Sequence, residues 1–394
     1  MKMKNSAIMV FLAIAYVLFT LHPVMSALTS STTISSIGSI AVAQIEPLHI
    51  EGNQILTENG TVVKLRGVNY TYFIDSPYGS WMLPDSQIAW LTWDTDAIAQ
   101  NLDAIKSWGC NCIRVIGTIE LWVENTGNYR SNLKYFFVQA AARGIYVDFC
   151  FYLNNATGSF PYGMFPWEDV GNGYINTPQD LVDVWSSVAS ELKDYQNVLF
   201  EFWNEPIGDV AIWMDFSQQC INAVRSTGAE NLIIIQYSDA VGVDFYDYPK
   251  VPSNTVSMSW VYEYQLSDPL GNLVYSTHLY RTSFRNSFEG YTRPYLYSDV
   301  FWALNATEVI SVASEYPVWI GEIGCSLWES ELDEEYEWYD NTLTVLDQYN
   351  IGYCAWAWAP WRSPGTQWGL VDVTQTNYTP NQAGQLFQQH LSNQ

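Results

Sequence analysis

Positive charge is scarce in this chain. Its 394 residues hold 16 Lys and Arg against 41 Asp and Glu, a formal net charge of −25. A nucleic-acid binder needs clustered basic side chains, so no nucleic-acid partner is expected. The same excess repels an anionic membrane surface or a polyanionic sugar, while a neutral polysaccharide stays compatible. Histidine is also sparse, at 4, and Cys110-Asn-Cys112 lacks zinc-ribbon spacing. Neither a metal site nor a cofactor is expected.

No apolar run reaches the roughly 20 residues that a membrane span takes. The segment from about Ala7 to Leu21 follows Lys2 and Lys4 and precedes the small pair Ser26-Ala27. It reads as an export signal over residues 1–27, with a retained N-terminal anchor as the alternative. Residues 28–45 are rich in Ser and Thr and read as a spacer. Residues 46–394 then carry no linker or charge block, so one folded domain is expected, as a secreted monomer. In an exported chain the six cysteines permit disulfides, whose pairing the spacing leaves open. Asn-X-Ser/Thr sequons stand at Asn59, Asn69, Asn155, Asn305 and Asn377.

Aromatic side chains are abundant, with 18 Trp and 27 Tyr. Flat rings stack on sugar faces, and large cores use them as well. Short β-branched or aromatic runs recur at Val62–Tyr70, Cys112–Gly117, Ile145–Tyr152, Val198–Glu205, Leu232–Gln236, Leu273–Tyr280, Val318–Gly321 and Ile351–Trp358. Helical patterns lie between them, at Thr95–Trp108, Ser131–Arg143, Pro178–Tyr195 and Glu331–Tyr349. Continuous apolar runs mark strands buried on both faces. Eight of them alternating with helices predict an α/β fold, a (β/α)8 barrel, opened by a hairpin within His49–Val63. Polar residues ending barrel strands face the catalytic mouth. Here they are Arg114, Asn204, Glu205, His278, Tyr280, Glu322 and Trp356.

Two of these are glutamates closing apolar strands, and a buried carboxylate is costly unless paired or used. Glycoside cleavage needs one carboxyl protonated and one ionised on either side of the anomeric carbon. Read singly, Glu205 is equally a helix-opening carboxylate in Asn-Glu-Pro, and Glu322 a satisfied core acid.

The segments Phe200-Glu-Phe-Trp-Asn-Glu-Pro206, Val274-Tyr-Ser-Thr-His-Leu-Tyr280 and Pro317-Val-Trp-Ile-Gly-Glu-Ile-Gly324 resemble strands of glycoside hydrolase family 5. Leu65-Arg-Gly-Val-Asn-Tyr70, Trp108-Gly-Cys-Asn-Cys-Ile-Arg-Val115 and Ala355-Trp-Ala-Trp-Ala-Pro360 are similar to its first, second and eighth strands. The likeness spans about residues 46–390 and is nearest to endo-β-1,4-glucanases. It implies a retaining double displacement without metal or cofactor, with Glu205 as general acid/base and Glu322 as nucleophile. It further implies that Asn204 holds a sugar 2-hydroxyl and that Arg114 and Tyr280 keep Glu322 ionised. His278 would stand beside the acid/base, and Trp356 would stack beneath the sugar. Trp358 and Trp361 compete for that last role, and barrel packing is the alternative reading of Trp356. The chain departs from the family in Tyr146-Val-Asp-Phe-Cys150, where Cys150 falls at a position usually held by histidine. A disulfide partner, a small filler and altered hydroxyl contacts are its three readings.

The expected substrate is cellulose or a related β-glucan, with β-mannan on the same machinery as the rival and a catalytically silent sugar-binding barrel as the outsider. Tyr72, Trp81, Trp122, Trp167 and Trp361 are further aromatic platform candidates.

Overall fold

A computed structural model describes residues 45–70, 73, 93–152, 165–168, 173–206, 208–237, 257–281, 296–326, 332–358, 369–372 and 377–392. The segment read as an export signal and nearly all of the one read as a spacer lie outside them, as do Tyr72, Trp81, Asn155 and Trp361. Among the described residues no helix is long and apolar enough to cross a membrane.

Strands β1 (Leu48–Glu51) and β2 (Gln54–Thr57) form the expected antiparallel hairpin, turning at Gly52 with φ of 62°. Eight parallel strands follow and close on themselves: β3 (Arg66–Tyr70), β4 (Cys112–Thr118), β5 (Tyr146–Tyr152), β6 (Val198–Glu201), β7 (Ile233–Gln236), β8 (Leu273–Tyr280), β9 (Val318–Gly324) and β10 (Gly352–Trp358). Strand β10 pairs with β3, so the sheet has no edge and the barrel is complete. The described helices are α1 (Thr95–Ser107), α2 (Ile119–Glu124), α3 (Tyr129–Ala141), α4 (Pro178–Leu192), α5 (Val210–Ser226), α6 (Trp260–Glu263), α7 (Tyr297–Ala306), α8 (Val309–Glu315), α9 (Leu332–Gln348) and α10 (Gln382–Ser392). Their starts are chemically marked. Thr177 and Asp180 form a capping box around Pro178, and Asp94 and Asp209 cap α1 and α5.

Barrel strands are buried on both faces, which is why they read as unbroken apolar runs. Outward residues such as Val115, Phe149 and Ile235 join the helices in the main core. Inward, a lower storey of Leu65, Cys112, Tyr146, Leu199, Ile234, Val274, Trp319 and Cys354 fills the floor, sealed by Leu48 and Ile55 of the hairpin. All six cysteines are buried free thiols, so none of the permitted disulfides is present.

The last helix is tied down by charge. His390 on α10 sits between Asp340 and Asp347 of α9, at 2.9 Å from each. Arg66 donates to Asp347 and to the His390 carbonyl. Lys64 and Tyr353 also face Asp347. Burial lowers the histidine pKa, but the two aspartates outweigh it and raise it to about 9. A raised folded pKa stabilises fully below the free value near 6.5 and ceases to as pH passes 9. His390→Gln is therefore expected to cost roughly 1–2 kcal/mol at pH 6, after solvent screening, and little at pH 10. Thermal melts of both proteins across that range test this.

Candidate active site

Arg114 is the third residue of β4, deeper than a strand end, and has no exposed surface. A buried guanidinium must have every donor matched. Its Nε and Nη2 make a bidentate pair with Glu201 at 2.8 and 2.9 Å. Nη1 donates to Glu322 Oε1 at 2.7 Å and to Asn69 Oδ1 at 3.1 Å. Nη2 also donates to Asn204 Oδ1 at 3.0 Å, which leaves the Asn204 amide NH2 to meet a ligand.

Glu322 reaches this network because β9 is irregular. Trp319 points into the barrel, and Ile320 and Ile323 both point out to the helices. Strict alternation would send Glu322 outward. Against β8, however, Thr277 pairs with Ile320 and His278 with Glu322, so β9 carries one extra residue. The same shift shows against β10. Such a bulge re-aims a side chain. Gly321 occupies it because a Cβ there would stand 2.9 Å from His278 Nε2 and 3.1 Å from Ser276 Oγ. Gly321→Ala is accordingly expected to lower kcat/KM by about 10–100-fold through displacement of His278 and Glu322. Kinetics beside a melting curve would separate that from unfolding.

Glu205 lies four residues past the end of β6, not on the strand itself, with φ of 50° in the left-handed region. Its N–H donates to Gln236 Oε1 at 2.8 Å. His278 Nδ1 stands 2.7 Å from Glu205 Oε1 and 3.4 Å from Glu322 Oε2. Tyr280 donates to Glu322 Oε2 at 2.5 Å. The carboxylate oxygens of Glu205 and Glu322 that face His278 lie within 4.8 Å of each other.

The two glutamates differ in their surroundings. Burial pushes Glu205 up to about 7, helped by the Glu201 charge and resisted by Arg114. Burial, with the Glu205 charge, leaves Glu322 raised as well, against the pull of His278, Arg114 and the Tyr280 hydroxyl. One acid thus keeps a proton near neutrality while the other is surrounded by donors suited to its charge. Burial, with Arg114, lowers His278 to about 4, so its ring is neutral.

Trp356 is half-buried on β10 and packs on Ile116, Cys150 and Tyr152. Its peptide bond to Ala357 is cis. Trp358 is fully buried, edge-on to Trp108 with its Nε1 on Asn101, which settles its competition with Trp356 in favour of packing. Trp122 is core as well, and Trp167 lies against Trp213 and Phe216. Cys150 is a small buried filler beneath Trp356.

Four buried residues of this centre escaped the sequence reading: Asn69, Asp148, Glu201 and Gln236. Glu201 was detectable, being a second carboxylate within the Val198–Glu205 run. Arg114 outweighs its burial and holds it below the usual carboxylate range. Asp148 Oδ2 stands 3.2 Å from Arg114 Nε. Burial and the Glu201 charge raise Asp148 well above the usual range, so it is the protonated partner of the pair. Asn69 was read as a sequon. Its burial and its bonds to Arg114 and the Gly321 carbonyl make it part of the centre instead.

Residues 56–361 match the model of the cellulase family, glycosyl hydrolase family 5. The chain belongs to glycosyl hydrolase family 5. Among its curated relatives, a β-mannanase/endoglucanase A from Caldicellulosiruptor saccharolyticus is 24% identical over 294 residues, 73% of this chain and 18% of that protein. Endoglucanase B from Neocallimastix patriciarum is 23% identical over 210 residues, 49% of this chain and 42% of that protein. The chain thus spans less than half the length of either. The family 5 barrel also superimposes on the catalytic domain of the major endoglucanase from Xanthomonas campestris pv. campestris, with a TM-score of 0.62 at 17% identity, covering 88% and 100% of the two chains. A β-glucanase from Saccharophagus degradans, solved with cellotetraose, gives 0.62 at 15% identity, covering 89% and 94%. At such identities the likeness is one of fold.

Proposed function

We propose that this family 5 chain is an exported, retaining endo-β-1,4-glucanase. The observation that carries the reading is the facing pair Glu205 and Glu322, with unlike partners and oxygens within 4.8 Å. Retaining chemistry places the two carboxyls about 5–5.5 Å apart, whereas inversion takes about 6.5–9.5 Å. In the first step Glu322 attacks the anomeric carbon while Glu205 gives its proton to the departing oxygen. Water, deprotonated by Glu205, then releases the sugar from Glu322. Asn204, fixed by Arg114, offers its NH2 to the sugar 2-hydroxyl, and Trp356 lies open for stacking. The acidic surface supports a neutral glucan, and the run Ala7–Leu21 supports export.

The β-mannan reading draws on one relative's name, which couples mannanase and endoglucanase, and on Cys150, which offers hydroxyls little at its position. Release of reducing ends from carboxymethylcellulose, mixed-linkage glucan and mannan decides between them. Both glucans should be cleaved faster than mannan, with initial products of β configuration by NMR. Faster mannan cleavage would replace the glucanase reading, and α products would remove the retaining one.

A further inference from the structure

We propose that Glu205, His278 and Glu322 together bind a borderline divalent cation, Zn²⁺ or Cu²⁺, and that binding shuts the active site. This rests on both glutamates facing one centre, and not on which sugar lies between them. Their three candidate ligand atoms, two carboxylate oxygens and Nδ1, lie within 4.8 Å of one another. Bonds of about 2.0–2.2 Å in tetrahedral geometry set neighbouring ligand atoms roughly 3.3–3.5 Å apart. The edge from His278 to Glu322, at 3.4 Å, already has that length. The edge from His278 to Glu205 is 2.7 Å, so Glu205 has to retreat by roughly 0.7 Å. The edge from Glu205 to Glu322, within 4.8 Å, has to settle at the same length, and tetrahedral geometry then leaves the fourth position to water.

Charge and ligand type favour the same ions. Glu201 takes up the Arg114 charge through its bidentate pair, so Glu205 and Glu322 remain to balance a dication, the ion displacing the Glu205 proton. Arg114 and Tyr280 already orient Glu322, a supporting shell of the kind that ligating carboxylates need. One imidazole nitrogen suits zinc and copper, whereas calcium and magnesium seek six or more oxygens or several retained waters. Among the described residues this is the one group of three or more His, Cys, Asp or Glu gathered closely enough for such a site. Coordination takes up Glu205 Oε1 and Glu322 Oε2, which belong to the two groups that hydrolysis uses. Inhibition is thus competitive with the sugar.

Calorimetric titration of the full chain with Zn²⁺ tests this without turnover, and Co²⁺ absorption reports its coordination. One Zn²⁺ should bind with Kd in the micromolar range or below, and Co²⁺ should show a tetrahedral visible band. Glu205→Gln and Glu322→Gln, each checked by circular dichroism, should weaken binding at least tenfold. His390→Gln, remote from the centre, should not. Hydrolysis should fall at least tenfold at saturating Zn²⁺, recover with chelator, and be relieved by excess polysaccharide. Wild-type Zn²⁺ affinity in both glutamine variants would overturn the proposal. So would equal inhibition by Mg²⁺, or a block that polysaccharide does not relieve. A protein that binds Zn²⁺ as expected but cleaves no β-glucan would remove the substrate reading alone.

Discussion

Glu322→Gln is expected to slow polysaccharide hydrolysis by about 10⁴-fold or more with the barrel still folded, because no other group stands ready to form the covalent bond. The amide is nearly isosteric and still meets Tyr280, so packing is preserved. Glu205→Gln should behave differently. A general acid contributes about 10²–10⁴-fold where the leaving oxygen is a poor one. With a dinitrophenyl glycoside, which departs without a proton, most of that loss should vanish at the first step. Assaying both variants on both substrates assigns the roles. A Glu205→Gln enzyme equally crippled on the activated glycoside, or a Glu322→Gln enzyme turning over near wild type, would reverse or discard the assignment.

The second large effect separates two carboxyls that look alike in the fold. Glu201 is ionised and holds two edges of Arg114, whereas Asp148 keeps its proton. Glu201→Gln should reduce kcat by about 10²-fold, since Arg114 then loses its anchor and with it the placement of Glu322 and Asn204. Asp148→Asn replaces a neutral carboxyl by a neutral amide and should stay within about threefold of wild type. The pH profile gives a reading that mere loosening would not move. The Glu201 charge helps to raise Glu205, so its removal should shift the alkaline limb of kcat/KM to lower pH. An unmoved limb, or a silent Glu201 variant, would deny it this role.

Much of the barrel was legible because strands buried on two faces leave runs of Val, Ile and Phe that need no partner to be seen. Glu205 and Glu322 stood out against such runs for the same reason. The strand limits were less visible. Strand β6 stops at Glu201, where its regular register with β5 and β7 ends, although Asn204 N–H still reaches the Phe151 carbonyl of β5. The bulge at Gly321 was hidden entirely, since an extra residue exists only relative to β8 and β10. Asp148 and Glu201 were passed over because their work lies in contacts across 34 to 87 residues to Arg114, which no local pattern records. One platform candidate failed from the opposite side. Trp122 has a composition that fits a sugar platform but a position inside the core.

Arg114 has one more consequence, for assembly of the fold. Its guanidinium meets side chains from β3, β5, β6 and β9 and from the turn after β6. A slip of one residue in any of these strands would turn its partner out of the barrel. It would leave a buried cation short of a mate, at several kcal/mol. Apolar storeys tolerate such slips better, since one aliphatic side chain serves nearly as well as the next. The polar centre therefore proofreads strand alignment: a chain that closes with its neighbours out of step forfeits stability before it ever meets a sugar.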